Sequence, residues 1–123
     1  MTIQTIAEGG ASIAVVTSAD ALILDGQTAL DFMMTVNYET GCRCIIVQKQ
    51  AIAEDFFDLR TRIAGDVLQK FINYHFKLAI VGDFSGYTSK SLRDFMRESN
   101  AGRDIFFVPT KEEAIARLAQ ASA

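Results

Sequence analysis

The chain has 123 residues, 50% of them hydrophobic and 22% charged, with a formal net charge of −3. That length suits a single domain burying about two-thirds of its unfolded surface, and no tract has the low hydrophobicity and high net charge of disorder. Scattered Lys and Arg give no basic footprint for nucleic acid, no apolar run approaches the roughly 20 residues of a membrane span, and Met1 to Gly10 lacks the basic start and apolar core of a signal peptide, so a cytoplasmic protein without membrane contact is expected.

Ile3 to Ala7 and Ala11 to Thr17 are β-rich runs separated by Glu8-Gly9-Gly10, whose glycines suit a primed hairpin turn. Asp25 is placed to cap a helix in which Leu30, Met33, Met34 and Val36 recur at near-helical spacing, with Gly41 as its stop. Cys44 to Val47, Leu78 to Gly82 and Ile105 to Val108 are short continuous apolar runs of the buried-strand kind. Between the first two, Phe56, Leu59, Ile63, Val67 and Phe71 repeat every three or four residues and predict one long helix over Ala51 to Tyr74. Thr88 or Ser89 caps the next helix, with Leu92, Phe95 and Met96 inward and Asn100 and Gly102 closing it. After Pro109, Thr110 and Glu113 form a capping box for a last helix with Ala114, Ile115 and Leu118 on its inner stripe. The predicted fold is α/β, ββαβαβαβα, with a mixed, mostly parallel five-stranded sheet flanked by helices and right-handed crossovers.

This order of elements resembles the STAS (anti-sigma-factor-antagonist) architecture across nearly the whole chain. At residue level, Ala53-Glu54-Asp55-Phe56-Phe57-Asp58-Leu59, Gly65-Asp66-Val67-Leu68-Gln69-Lys70-Phe71, and Gly82-Asp83-Phe84-Ser85 through Thr88-Ser89-Lys90-Ser91-Leu92-Arg93-Asp94-Phe95 resemble a bacterial family known only as a domain of unknown function. The family resemblance implies no activity. STAS antagonists carry a phosphorylatable serine at the start of the helix after the third strand, where this chain reads Gln48-Lys49-Gln50-Ala51, without a hydroxyl. What the STAS likeness implies is a regulatory or protein-binding role rather than turnover.

Cys42 and Cys44, separated by Arg43 at a strand entry, are expected on one face as reduced thiols, because a bridge between them would be strained and the lone His75 leaves a zinc site short of ligands. Glu54, Asp55 and Asp58 form an acidic cluster, but every fourth residue reads Glu54, Asp58, Arg62, Asp66, Lys70, which on a continuous helix is an exposed ion-pair ladder rather than a metal site. Arg60 falls on the apolar side of that helix, so either the helix breaks near Leu59-Arg60-Thr61 or the guanidinium turns inward, to Asp83 or to a ligand. Gly65, in mid-helix at a cost of about 1 kcal/mol relative to alanine, shares a flank with Thr61, Leu68 and Ile72; a helix packs closely there, within the monomer or across a homodimer. His75 suits the negative end of its helix as a cap.

Ligands of open α/β sheets bind beyond the carboxyl ends of the parallel strands. Asp83 to Lys90 is therefore the candidate site, with Ser85, Tyr87 and Ser89 offering hydroxyls, and Lys90, Arg93, Lys49 and Arg60 offering charge to a small anionic ligand. The pattern is not a P-loop, Ser89 is equally a helix cap, and Ser85, Thr88 and Ser89 are alternatively phosphorylation sites. One histidine must serve every conceivable triad, which argues against nucleophilic catalysis. The sequence thus predicts a non-enzymatic regulatory module with a protein partner, and alternatively a protein or enzyme acting on an anionic metabolite; no metal or other cofactor is expected.

Overall fold

The computed structural model describes residues 1–122. Strands β1 (Thr2–Glu8) and β2 (Ala11–Thr17) pair antiparallel across Gly9 and Gly10, both at positive φ (57° and 84°), which sets the hairpin twist. Strands β3 (Cys44–Gln48), β4 (Lys77–Val81) and β5 (Ile105–Val108) then add in parallel, and the sheet order is β1-β2-β3-β4-β5. The α/β order and the mixed five-stranded sheet are those the sequence predicts.

Because strand order follows chain order, crossovers of one hand deliver their helices to one face. Helices α1 (Gly26–Thr40), α2 (Ile63–Asn73) and α3 (Lys90–Ala101) share that face, where Met33, Val36, Val67, Phe71 and Leu92 pack on Ala14, Ile45, Leu78 and Ile80. Helix α4 (Lys111–Ser122) covers the other face alone, seating Ala114 and Leu118 on Ile13, Ile46, Ala79 and Phe106. No helix among the described residues is long and apolar enough to cross a membrane.

Local chemistry sets the helix ends. The Asp25 side chain accepts from the Thr28 N–H (2.9 Å) while Thr28 Oγ1 accepts from the Asp25 N–H (3.0 Å), a capping box, and Gly41 ends α1 at φ 75°. In α1 the buried stripe is Ala29, Phe32, Met33 and Val36, whereas Met34 faces solvent. The Ser89 Oγ accepts from Leu92 N–H at the start of α3, and the Thr110 Oγ1 from Glu113 N–H at the start of α4.

The segment between β3 and β4 departs from the predicted helix over 51–74. It forms three 3₁₀ turns (Lys49–Ala51, Glu54–Phe57, Leu59–Thr61), and only from Ile63 does it become α2. The break is built by Asp58, whose carboxylate accepts from the Arg60 N–H (3.1 Å), and by Arg62, which sits at φ 64° and cannot continue a right-handed helix. Phe56 and Phe57 still reach the core. The ion-pair ladder, which needs continuous helix, reduces to Asp66–Lys70 (3.9 Å).

Two further expectations change. The cysteines do not share a face: strand geometry begins only at Cys44, so Cys42 packs in the three-helix core and Cys44 in the α4 core, where its Sγ lies 3.2 Å from Ser122 Oγ. Both are buried, free thiols. Gly65 has open space where a Cβ would stand, so no element among the described residues packs closely against it. The close approach occurs at Gly26, whose Cβ position would fall against the Asp66 carboxylate and where α1 and α2 meet.

Candidate functional site

At the carboxyl end of the sheet a short parallel bridge, Ile23 to Ile52, ties the connection after β2 to the connection after β3. Ala51 O receives the Leu22 and Ile23 N–H groups (2.7 and 3.0 Å), and the Gln50 side chain donates to Ser18 O (3.1 Å). This clamp fixes the direction in which Lys49 leaves β3. Its stem lies across Gly82 at the end of β4, so closely that a Cβ on residue 82 would stand 2.7 Å from Lys49 Cβ and 3.2 Å from its Cδ.

The Lys49 ammonium ends among aromatic rings and one carboxylate. Phe57 and Tyr87 stack with centroids 4.9 Å apart at 17°, and Lys49 Nζ lies 5.3 Å from the first ring and 5.0 Å from the second. Glu54 joins them, with Oε1 3.7 Å from Lys49 Nζ and Oε2 accepting from the Tyr87 hydroxyl at 2.8 Å. Hydrogen bonding to Tyr87 holds the Lys49 pKa above its ordinary value against some burial, with Glu54 adding to it. Burial lifts the Tyr87 phenol, which the Glu54 hydrogen bond reinforces and Lys49 opposes.

The loop after β4 is ordered by Asp83. Its Oδ1 accepts from both the Ser85 N–H (2.9 Å) and the Ser85 Oγ–H (2.6 Å), and those bonds hold its carboxyl below the usual range. Phe84 turns inward against Phe57 and Phe107 (centroids 6.0 and 5.5 Å), leaving it half-buried beside Tyr87.

Of the residues singled out in the sequence, Lys49 and Tyr87 meet here, with Asp83 and Ser85 joined on the adjacent loop. Arg60 does not: of the two arrangements open to it, the helix break is the one formed, and its guanidinium grips Asp58 bidentately (3.0 and 2.9 Å) with 91% of the side chain exposed. Ser89 is the cap of α3, and Lys90 reaches along that helix to Asp94 (2.8 Å). Glu54 and Phe57 also belong to the cluster, although helical spacing places Glu54 on the ladder and gives Phe57 no site. The signal available for both is the Ala53-to-Leu59 motif, whose spacing suits a helix equally well.

The acidic trio separates, Glu54 to Lys49 and Tyr87, Asp58 to Arg60, and no group of three or more His, Cys, Asp or Glu among the described residues could hold a metal ion. His75 takes a φ of 62° just beyond the end of α2, where Phe76 N–H donates to Phe71 O (2.9 Å) and His75 N–H to Ile72 O (3.2 Å), a Schellman closure with histidine in the place usually held by glycine.

A family model described as a domain of unknown function, DUF4180, matches residues 8–118. No curated protein matches the chain, and no solved structure does.

Proposed function

This chain belongs to the DUF4180 family, and from that premise we propose that it is a non-enzymatic regulatory or protein-interaction module of STAS-like architecture, whose contact surface is the carboxyl end of the sheet. The observation that carries this reading is the state of the three cations Lys49, Arg60 and Lys90. Lys49, Arg60 and Lys90 are each matched to a carboxylate of the same chain, Glu54, Asp58 and Asp94. An incoming anion would have to displace those carboxylates. What the surface offers is the half-buried pair Phe84 and Tyr87, set on a loop ordered by Asp83 and edged by exposed Glu54 and Thr88. Aromatics held in place and ringed by polar groups are the usual energetic centre of a protein contact.

The β1-β2 hairpin and the consecutive parallel strands that follow support the STAS likeness at the level of topology. They do not supply the serine switch: Lys49 to Ala51, after β3, is a 3₁₀ turn without a hydroxyl.

The test is affinity capture from the native host with the wild-type chain and with a Phe84→Ser, Tyr87→Ser double variant, both checked for native circular dichroism. A protein retained reproducibly by the first and lost by the second is the expected result. If nothing is retained reproducibly, or retention is indifferent to the two aromatics, the reading fails.

A further inference from the structure

A cleft of about 410 Å³, to whose lining Lys49 does not contribute, opens between the Phe84–Tyr87 loop, helix α3 and the last strand. We infer that this cleft is a binding site for a small organic acid, a carboxylate on an apolar body, with Arg93 holding the carboxylate. Its volume lies within the range of small-molecule sites. The apolar wall is made by Met96 and Phe107, both buried, with half-buried Phe84 and Tyr87 above them.

The charge in the cleft has one sign. Arg93 and Arg97 line it and no carboxylate among the described residues does, although the chain as a whole carries a net charge of −3. Arg97 commits Nη2 to Asp94 at 2.5 Å. Arg93, one turn earlier on α3, has no ion-pair partner among the described residues, so its planar fork is left to a ligand.

The remaining polar groups decide which anion. Both ends of the Asn100 side-chain amide are engaged by the backbone of Phe107, and the Ser85 hydroxyl donates its proton to Asp83. No helix start lines the cleft. One guanidinium matches the two oxygens of a carboxylate, whereas a phosphate would leave most of its oxygens without donors. The apolar body then covers Met96 and Phe107. This site uses none of the three paired cations Lys49, Arg60 and Lys90, and it stands whether or not a protein partner docks on the Phe84–Tyr87 loop.

The experiment is a titration of the methyl-¹³C-methionine-labelled chain with phenylacetate, followed by NMR; the chain has 4 methionines, and Met96 is assigned by its loss in Met96→Leu. Phenylacetate is expected to shift the Met96 methyl saturably, with acetate, phenylacetamide and inorganic phosphate each at least about tenfold weaker. Arg93→Gln is expected to weaken phenylacetate by a similar factor while the circular dichroism of the unliganded chain stays native. Absence of a saturable Met96 shift, phosphate or acetate binding as well as phenylacetate, or unchanged affinity in Arg93→Gln would each overturn the inference.

Discussion

Asn100 and Phe107 exchange two hydrogen bonds across the open edge of the sheet: Asn100 Oδ1 accepts from the Phe107 N–H at 2.7 Å and Asn100 Nδ2 donates to the Phe107 carbonyl at 3.1 Å. The side-chain amide stands in for the backbone of a sixth strand. Together with Pro109, which has no N–H to offer, it leaves β5 little edge on which another chain could pair. Asn100→Leu keeps the approximate volume and removes both partners, so it is expected to cost ~1–3 kcal/mol. Urea unfolding measures that loss, and a sedimentation experiment on the same variant is expected to show more self-association than the wild-type chain.

Lys49 and Gly82 are similarly dependent on each other. A methyl group at 82 would meet Lys49 Cβ, which is close to the backbone and cannot swing aside as a side-chain terminus could. Gly82→Ala is expected to destabilise by ~1–3 kcal/mol, the usual scale of overpacking, and to move Lys49 off the Phe57–Tyr87 stack. In a Lys49→Gly background the obstructing atom is gone. The same Gly82→Ala change should then cost clearly less, and equal losses in the two backgrounds would show that the contact is not the cause.

Strands and helix caps were legible in the sequence because each is a local property. Asp25, Ser89 and Thr110 cap the helices they precede, and the two β-rich runs and three apolar runs are β1 to β5. The segment before α2 was not legible for a physical reason. Phe56, Leu59 and Ile63 keep helical spacing because 3₁₀ turns also return the chain to the core every three or four residues, so periodicity alone cannot separate the two. Neither proline nor glycine marks the break. It lies in an Asp58 cap and in Arg62 at positive φ, which are features of conformation rather than composition. The same ambiguity hides the site: on a continuous helix Glu54 falls on the exposed ladder, away from Lys49 and Tyr87.

Arg62 and His75, the boundary residues on either side of α2, both occupy left-handed backbone at φ 64° and 62°. That conformation costs an L-residue about 1–2 kcal/mol, partly offset in a glycine variant by the greater freedom of the unfolded chain. His75→Gly should therefore stabilise the fold by roughly 0.5–1 kcal/mol. Arg62→Gly is expected to act in the same direction. Denaturant midpoints at constant m-value decide both, and a loss of stability in His75→Gly would mean that the imidazole makes a contact worth more than the strain.

Four carboxylates are held below their ordinary values: Asp25 by the Thr28 backbone hydrogen bond, Asp58 by Arg60, Asp83 by Ser85, and Asp94 by Lys90. A lowered folded-state pKa means that the unfolded chain binds the proton first. Their contribution is therefore complete above the unfolded value, ~3.9 for aspartate, and is lost as pH falls through the lower folded values. Stability should be nearly flat from neutral pH down to about 5 and fall below about 4. Asp25→Asn retains a capping oxygen but not the titration, so its acid limb should be shallower than that of the wild-type chain in urea midpoints collected across that range.

At the alkaline end Tyr87 is the informative group, because burial and the bond to Glu54 raise its phenol above the ordinary 10.0. Here the unfolded chain loses the proton first. The stabilisation attached to the neutral phenol is present below the ordinary value and disappears as pH rises through the folded one. Lys49, whose pKa is also raised, loses its charge in an adjoining range, so the cluster is expected to come apart cooperatively rather than one group at a time. An absorbance titration of the 3 tyrosines should show a late component that Tyr87→Phe removes. Glu54→Gln replaces the charged acceptor with a neutral one and should bring that component earlier. A late phenol that survives Tyr87→Phe would assign the raised value to another tyrosine and dissolve the cluster as described.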